Sequence, residues 1–169
     1  MIYLRKAELS DVLSIMPIIE QARQFLKEAG SNQWQGTYPS KVDIEKFISR
    51  EVGYVLVVDN EVSSFCALIT GEDVQYTKIY NGTWINDNLD YVTVHCLATS
   101  DKYRGLGLTK YLFSNIFTLM KLRGYNDFRV DTHPANEIMQ AVFEREGFHK
   151  RGMVFYEGDR LAYQLLLDK

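Results

Sequence analysis

Tyr91-Val92-Thr93-Val94-His95-Cys96-Leu97-Ala98-Thr99, followed by Lys102-Tyr103-Arg104-Gly105-Leu106-Gly107-Leu108-Thr109, is the stretch whose reading decides the fold. The first nine residues are dense in β-branched and aromatic side chains and stop at Ser100-Asp101, the pattern of a strand. The second group sets two glycines where the backbone must come close to something, and then opens a helix. A helix start leaves its first N–H groups without intrahelical partners and carries partial positive charge. Such a turn therefore receives a phosphate through main-chain amides. Lys102, Arg104 and Lys110 add positive charge there.

Outward from the turn, Leu108, Leu112, Ile116 and Leu119 recur at helical spacing, and Phe113, Phe117 and Met120 widen the apolar face. Lys121, Arg123 and Gly124 form a stop signal, so the helix closes near Arg123. Residues 127–132 read as the next strand. A strand, a helix of this length and a second strand imply a parallel, right-handed crossover, and ligands of such units sit at the carboxyl ends of the strands. That rule gathers the glycine turn, residues 97–99 and Thr132-His133.

Two glycines between a strand and a helix are also what a plain turn looks like. Among phosphate sites, the dinucleotide fingerprint G-x-G-x-x-G fails at its third position, where Lys110 stands, although Asp131 imitates its ribose-binding acid. The P-loop pattern G-x-x-x-x-G-K-[ST] is absent from the sequence.

Arg104-Gly105-Leu106-Gly107-Leu108-Thr109 resembles the Q/R-x-x-G-x-G/A acyl-CoA loop of the GNAT N-acetyltransferases, with Thr109 departing at the last position. Asn136, Met139, Val142, Phe143, Gly147 and Phe148 fall on the same superfamily's N-x-x-A-x-x-L-Y-x-x-x-G-F spacing. The resemblance runs through nearly the whole chain in element order and looks like a bacterial small-molecule branch. It implies an α/β (α+β) fold: a mixed, mostly antiparallel central sheet with helices on both faces and a splayed parallel strand pair, in a single domain over residues 1–169.

Composition sets bounds on function. With 169 residues, 46% of them hydrophobic and 24% charged, the chain suits one soluble globular domain. A net charge of −3 gives little support to nucleic-acid binding through a broad basic surface. Cys66 and Cys96 lie in apolar, strand-like runs without a C-x-x-C or pairing pattern, and read as reduced core thiols of a cytoplasmic protein. No apolar run approaches a membrane span, the first residues lack the apolar region of a signal peptide, and three scattered histidines argue against a metal site.

Elsewhere, residues 2–5 alternate as a short strand, and Ser10-Asp11 caps a helix with Val12, Ile15, Ile18, Ile19, Ala22, Phe25 and Leu26 on its apolar side, bent at Pro17. Ser40 with Asp43 starts a second helix in the manner of a capping box. Residues 54–58 and 62–69 form a hairpin about Asp59-Asn60-Glu61. Residues 70–90 mix polar residues with Tyr76, Tyr80 and Trp84 and are expected to lengthen that hairpin. Asn136 caps a helix running through Glu146, and residues 153–156 and 161–167 make a terminal hairpin turning at Gly158-Asp159.

The resemblance implies acetyl-CoA as co-substrate, without a metal, held by Leu97, Ala98, Thr99, residues 104–109 (Arg104, Gly105, Leu106, Gly107, Leu108, Thr109), Asn136, Met139 and Phe143. Pantetheine would lie along the strand of Leu97 and Thr99, and an N–H near Leu97 would stabilise the oxyanion. His95, Asp131 and His133 are candidates to accept the proton of the amine, each with an ordinary structural role as the alternative, and Asp73 is a weaker candidate that reads as a turn residue. Phe143 stands where the family often has a proton-returning tyrosine. Trp34, Tyr38 and Trp84, with Tyr76 and Tyr80, are candidate walls for a small-molecule amine. Partners other than that amine are not expected beyond a homodimer. The competing readings are a protein N-terminal acetyltransferase and a non-catalytic acyl-CoA sensor, the latter favoured by Phe143.

Overall fold

Turn chemistry and side-chain alternation set the sheet. In this computed structural model, which describes residues 1–168, the strands are β1 (Ile2–Lys6), β2 (Gly53–Val58), β3 (Glu61–Thr70), β4 (Val92–Thr99), β5 (Asp127–Thr132), β6 (His149–Phe155) and β7 (Asp159–Leu166). The helices are α1 (Val12–Glu28), α2 (Lys41–Ser49), α3 (Leu108–Leu122) and α4 (Glu137–Arg145). Their order is the one the resemblance implied. Seven strands form one sheet in the order β1-β2-β3-β4-β5-β7-β6. Pairing is antiparallel between β1 and β2, β2 and β3, β5 and β7, and β6 and β7. The β4–β5 pair is parallel, registering Val92 with Phe128 and Thr93 with Arg129, so its register takes in the first two residues of β4.

The chain divides into two compact units, one of residues 1–68 and 95–116, the other of residues 69–94 and the chain from Phe117 onward. In the first, the β2–β3 hairpin turns through Asp59 and Asn60, both at positive φ (47° and 70°), the left-handed pair that a two-residue hairpin needs. Buried Val12, Ile15, Ile18, Ile19 and Leu26 of α1 and Ile44, Phe47 and Ile48 of α2 supply the helical share of its core. Ser40 and Asp43 exchange the two bonds of a capping box. The start of α1 differs from expectation: a 3-10 turn, Leu9–Asp11, precedes it, and the Asp11 carboxylate accepts from the Glu8 amide at 2.8 Å and from both Arg5 amino groups at 2.7 and 2.8 Å. Pro17 lies inside α1, which continues through it.

In the second unit the β5–β7 register sorts side chains onto two faces, because residues paired across antiparallel strands share a face and alternate along it. Phe128, Val130 and Tyr163 lie on one. That face meets aromatic rings from the helices: Phe117 stands edge-on to Phe128 at 5.0 Å, and Phe143 lies 5.5 Å from Tyr163. Asp127, Arg129 and Asp131 of β5 share the other face with Arg160, Ala162 and Gln164 of β7.

Residues 71–90 cover the polar face rather than lengthening the β2–β3 hairpin, and hydrogen bonds explain why. Gln164 accepts from the Ile85 amide at 2.8 Å and donates to Asp127 at 2.9 Å. The Arg129 guanidinium donates to the Asn86 side chain at 3.1 Å and the Asn88 carbonyl at 3.0 Å, and its plane lies 4.6 Å from the Trp84 ring and 3.9 Å from Tyr91. Tyr80 bridges to Met153 in β6. Each of these tethers draws the segment toward β5, β6 and β7.

Candidate functional site

Local chain geometry at the entrance of α3 comes from its glycines. Gly105 and Gly107 have φ of 79° and 72°, a left-handed conformation costing an L-residue roughly 1–2 kcal/mol. A Cβ at either would meet nothing within 4 Å, so the chain bends here beside open space. Residues 104–107 are exposed, while Leu108 is buried and anchors the first turn of the helix. Two of the neighbouring cations are already engaged, while Lys110 is exposed. Lys102 pairs with Glu61, and Arg104 lies 2.6 Å from Asp101 with its guanidinium 4.6 Å over the Phe25 ring. The electropositive features left to the turn are Lys110 and the main-chain N–H groups other than those of Arg104 and Leu106, which donate to Asp101 and Tyr103.

Upstream in the same unit, β4 carries half-buried His95, Leu97 and Thr99 alternating with buried Cys96 and Ala98. Cys96 sits at φ 52°, an uncommon conformation for a non-glycine residue inside a strand. Its Sγ lies 3.0 Å from the Tyr38 hydroxyl. The loop bearing Trp34 and Tyr38 is held by Arg23, whose guanidinium donates to the carbonyls of Trp34 at 2.9 Å, Gly36 at 2.8 Å and Pro39 at 3.0 Å. Trp34 is buried at φ 62°, and the peptide bond between Tyr38 and Pro39 is cis. Burial pushes the Cys66 thiol up, so it is no nucleophile near neutral pH.

In the second unit, Asn136 caps α4, its Oδ1 accepting from the Met139 amide at 3.1 Å. Met139 is half-buried and Phe143 buried, the latter against Phe148 and Tyr163. At the carboxyl end of β5, Asp131 accepts from the Tyr76 hydroxyl at 2.5 Å and lies 4.0 Å from Arg160 Nε. Burial and Asp131 hold the Tyr76 hydroxyl well above its ordinary range, so it stays protonated and donates. His133 accepts the Ala135 amide on Nδ1 at 3.0 Å, which leaves the ring proton on Nε2. Burial, and then the Arg160 charge, lower its pKa, keeping the ring neutral at pH 7. Trp84 is stacked with Arg129 and 5.6 Å from Tyr76, and its indole N–H donates to the Tyr76 carbonyl. Asp73 accepts from the Gln75 amide at 2.9 Å and starts a 3-10 turn.

The model of the Acetyltransferase (GNAT) family matches residues 19–148, more than half of the chain. The chain belongs to the GNAT acetyltransferase family. A GNAT acetyltransferase from Streptococcus agalactiae 2603 is similar over 99% of this chain and 96% of its own, with 34% identity and a TM-score of 0.93. A GNAT acetyltransferase from Listeria monocytogenes 4b F2365 (21% identity, 98% and 95% covered, TM-score 0.74) shares the fold. So does Ard1 from Thermoplasma volcanium (13% identity, 99% of both chains, TM-score 0.70). A comparison with curated proteins gives no match. This GNAT chain is therefore an acyltransferase, of a family whose co-substrate is acetyl-CoA.

The left-handed, unobstructed glycine turn at an exposed helix entrance fits a diphosphate. Among the described residues no cluster of three or more His, Cys, Asp or Glu could hold a metal, and no helix is long and apolar enough to cross a membrane. Sequence reasoning missed Arg160. Residues 160–164 are buried without a break, so alternation alone carried no signal that singled it out.

Proposed function

We propose that this GNAT enzyme moves acetyl from acetyl-CoA to the primary amine of a small molecule, by direct attack in a ternary complex without an acyl-enzyme. The observation that carries the reading is the glycine turn, with φ of 79° and 72° and open space where a Cβ would stand. Residues 104–109 take the diphosphate on main-chain amides, and Leu97, Ala98 and Thr99 offer backbone to pantetheine. Asn136, Met139 and Phe143 line α4 on the family's spacing. Bound acetyl-CoA supplies the thioester that the amine attacks.

The strained Cys96 supports a special role for the amide that follows it. Left-handed residues in strands persist where their surroundings over-determine them, commonly at ligand clamps, and Tyr38 grips the Cys96 sulfur. The Leu97 N–H then polarises the thioester carbonyl, a contact worth roughly a hundredfold or more in rate. His95 and Asp131 are the groups offered to accept the proton of the amine, and His133 presents a donor through Nε2. Cys66 is fully buried and its thiol is raised by that burial, so it offers no acyl-enzyme nucleophile. Trp34 and Tyr38, fastened by Arg23, and Trp84 are the aromatic groups offered to the acceptor.

One observation favours a second reading. Phe143 is packed among aromatic rings and has no proton to return, as in a binding protein that has lost transfer chemistry. Thiol release from acetyl-CoA across a panel of small amines tests this. Turnover with at least one amine supports the enzyme, whereas tight acetyl-CoA binding with no release leaves an acyl-CoA sensor.

A further inference from the structure

Arg160 is the second residue of β7, with its side chain 2% exposed, and its guanidinium is poorly matched for so buried a cation. Among the described residues its one hydrogen bond runs from a terminal amino group to the Asp159 carbonyl at 3.4 Å. Nε is buried without a hydrogen-bond partner, and Asp131 Oδ2 stands off at 4.0 Å. Asp131 is drawn instead to Tyr76, whose hydroxyl lies 2.5 Å from Oδ1. Removing a guanidinium from water is costly unless its donors find acceptors, so a buried arginine left this way is held for a group outside the chain.

Position and charge define that group. Arg160 lies diagonally across the register from Asp131, whose strand ends at Thr132, and the carboxyl end of a parallel strand is where such sheets admit ligands. The planar fork of an arginine matches the two oxygens of a carboxylate. Asp131 stands 4.0 Å off and His133 is neutral, so the one positive charge of Arg160 matches a singly charged carboxylate better than a phosphate dianion. Asp131, partly exposed and acidic, suits an ammonium group on the same molecule.

We infer that Arg160 binds the free carboxylate of the acceptor, which makes the acceptor an amino acid or a close analogue rather than the N-terminus of a peptide. This rests on the transfer reading above and narrows it. A peptide N-terminus carries an amide where a free amino acid carries a carboxylate, so the two acceptor classes differ at the atom Arg160 would read.

The test uses the full-length wild-type chain with acetyl-CoA, first by calorimetry and then by thiol release with the common amino acids, their primary amides and their decarboxylated amines. The expected result is kcat/KM at least about a hundredfold higher for one or more acids than for the matched amide and amine. Arg160→Gln should raise KM for that acid about a hundredfold with kcat little changed, and Arg160→Lys should lose less. Equal use of acid and amide, or acetyl-CoA binding with no amino acid acetylated, overturns the inference and leaves the transfer reading standing for another amine. Failure to bind acetyl-CoA overturns both. Because the acid-versus-amide comparison needs no variant, a misfolded Arg160 substitution does not shield the inference.

Discussion

Residues 104–109 and residues 71–90 achieve order by opposite means. The glycine turn is exposed, its side chains are few, and its conformation follows from two left-handed glycines and the helix they open. Residues 71–90 have little regular structure of their own, and their course is set by polar and charged groups buried beneath them: Arg129, Asp127 and Gln164 hold Ile85, Asn86 and Asn88, while Asp131 holds Tyr76. The first is specified locally and the second by the sheet. Under the proposed function the division carries over, because a backbone turn would take the diphosphate of the cofactor while side chains of the tethered segment would face the acceptor.

The largest effect should come from cutting the second region loose. Arg129 is 3% exposed and Asp127 1%, their closest nitrogen and oxygen are 3.2 Å apart, and two aromatic rings flank the guanidinium. Arg129→Met leaves Asp127 charged and buried, and should cost about 3–5 kcal/mol in chemical denaturation. Pairing Arg129→Met with Asp127→Leu should recover part of that loss. If Arg129→Met unfolds with wild-type midpoint, the segment is held by something other than this network.

The glycine turn should respond in binding rather than stability. Gly107→Glu meets open space, so the fold should survive with the modest strain of a left-handed residue. Its carboxylate would face the diphosphate at roughly 5 Å, where like charges cost about 3 kcal/mol at an effective dielectric near 20, a loss of about a hundredfold or more in acetyl-CoA affinity. Unchanged affinity by calorimetry would remove the turn from the cofactor site.

A third change probes where the two modes meet steric limits. Gly82 belongs to the tethered segment, and a Cβ there would run into the Arg151 carbonyl and press on the Gly152 backbone. Gly82→Ala should destabilise by about 1–3 kcal/mol, since backbone cannot yield as a side chain would. The same substitution at Gly105, where a Cβ meets nothing, should cost about 1 kcal/mol from its φ alone. Comparable midpoints for the two variants would contradict the close packing of the segment.

These contrasts explain what could be read in advance. Strand, turn and helix signals near Asp59-Asn60, Ser40, residues 104–109 and Asn136 act within a few residues, and each marks the feature found there. The element order followed from them. Residues 70–90 misled because their Asn-Gly and Asn-Asp pairs announce turns without saying what the turns dock against, and the partners, Arg129, Asp131 and Gln164, lie some 40 to 80 positions away. The cap of α1 misled for a related reason: Asp11 is committed backward to Arg5 and the Glu8 amide. Arg160 was passed over because an arginine at the start of a strand reads as solvated, and its burial depends on the chain that covers β7.

The smallest effect separates the regions by pH. His133 is the histidine whose pKa burial and Arg160 depress, so between its ordinary value near 6.5 and the lower folded value the unfolded chain binds more protons than the folded one. Its contribution to stability is complete above pH 6.5 and is lost as pH falls through the folded pKa. His133→Gln should therefore flatten the decline in denaturation midpoint just below pH 6.5 while leaving pH 8 nearly unchanged. Arg160→Gln should act on the same slope, because removing the guanidinium lets His133 take its proton more readily. Gly107→Glu carries no histidine and should leave the slope as it is, so a change there would mean that the turn and the carboxyl end of β5 are coupled through the fold.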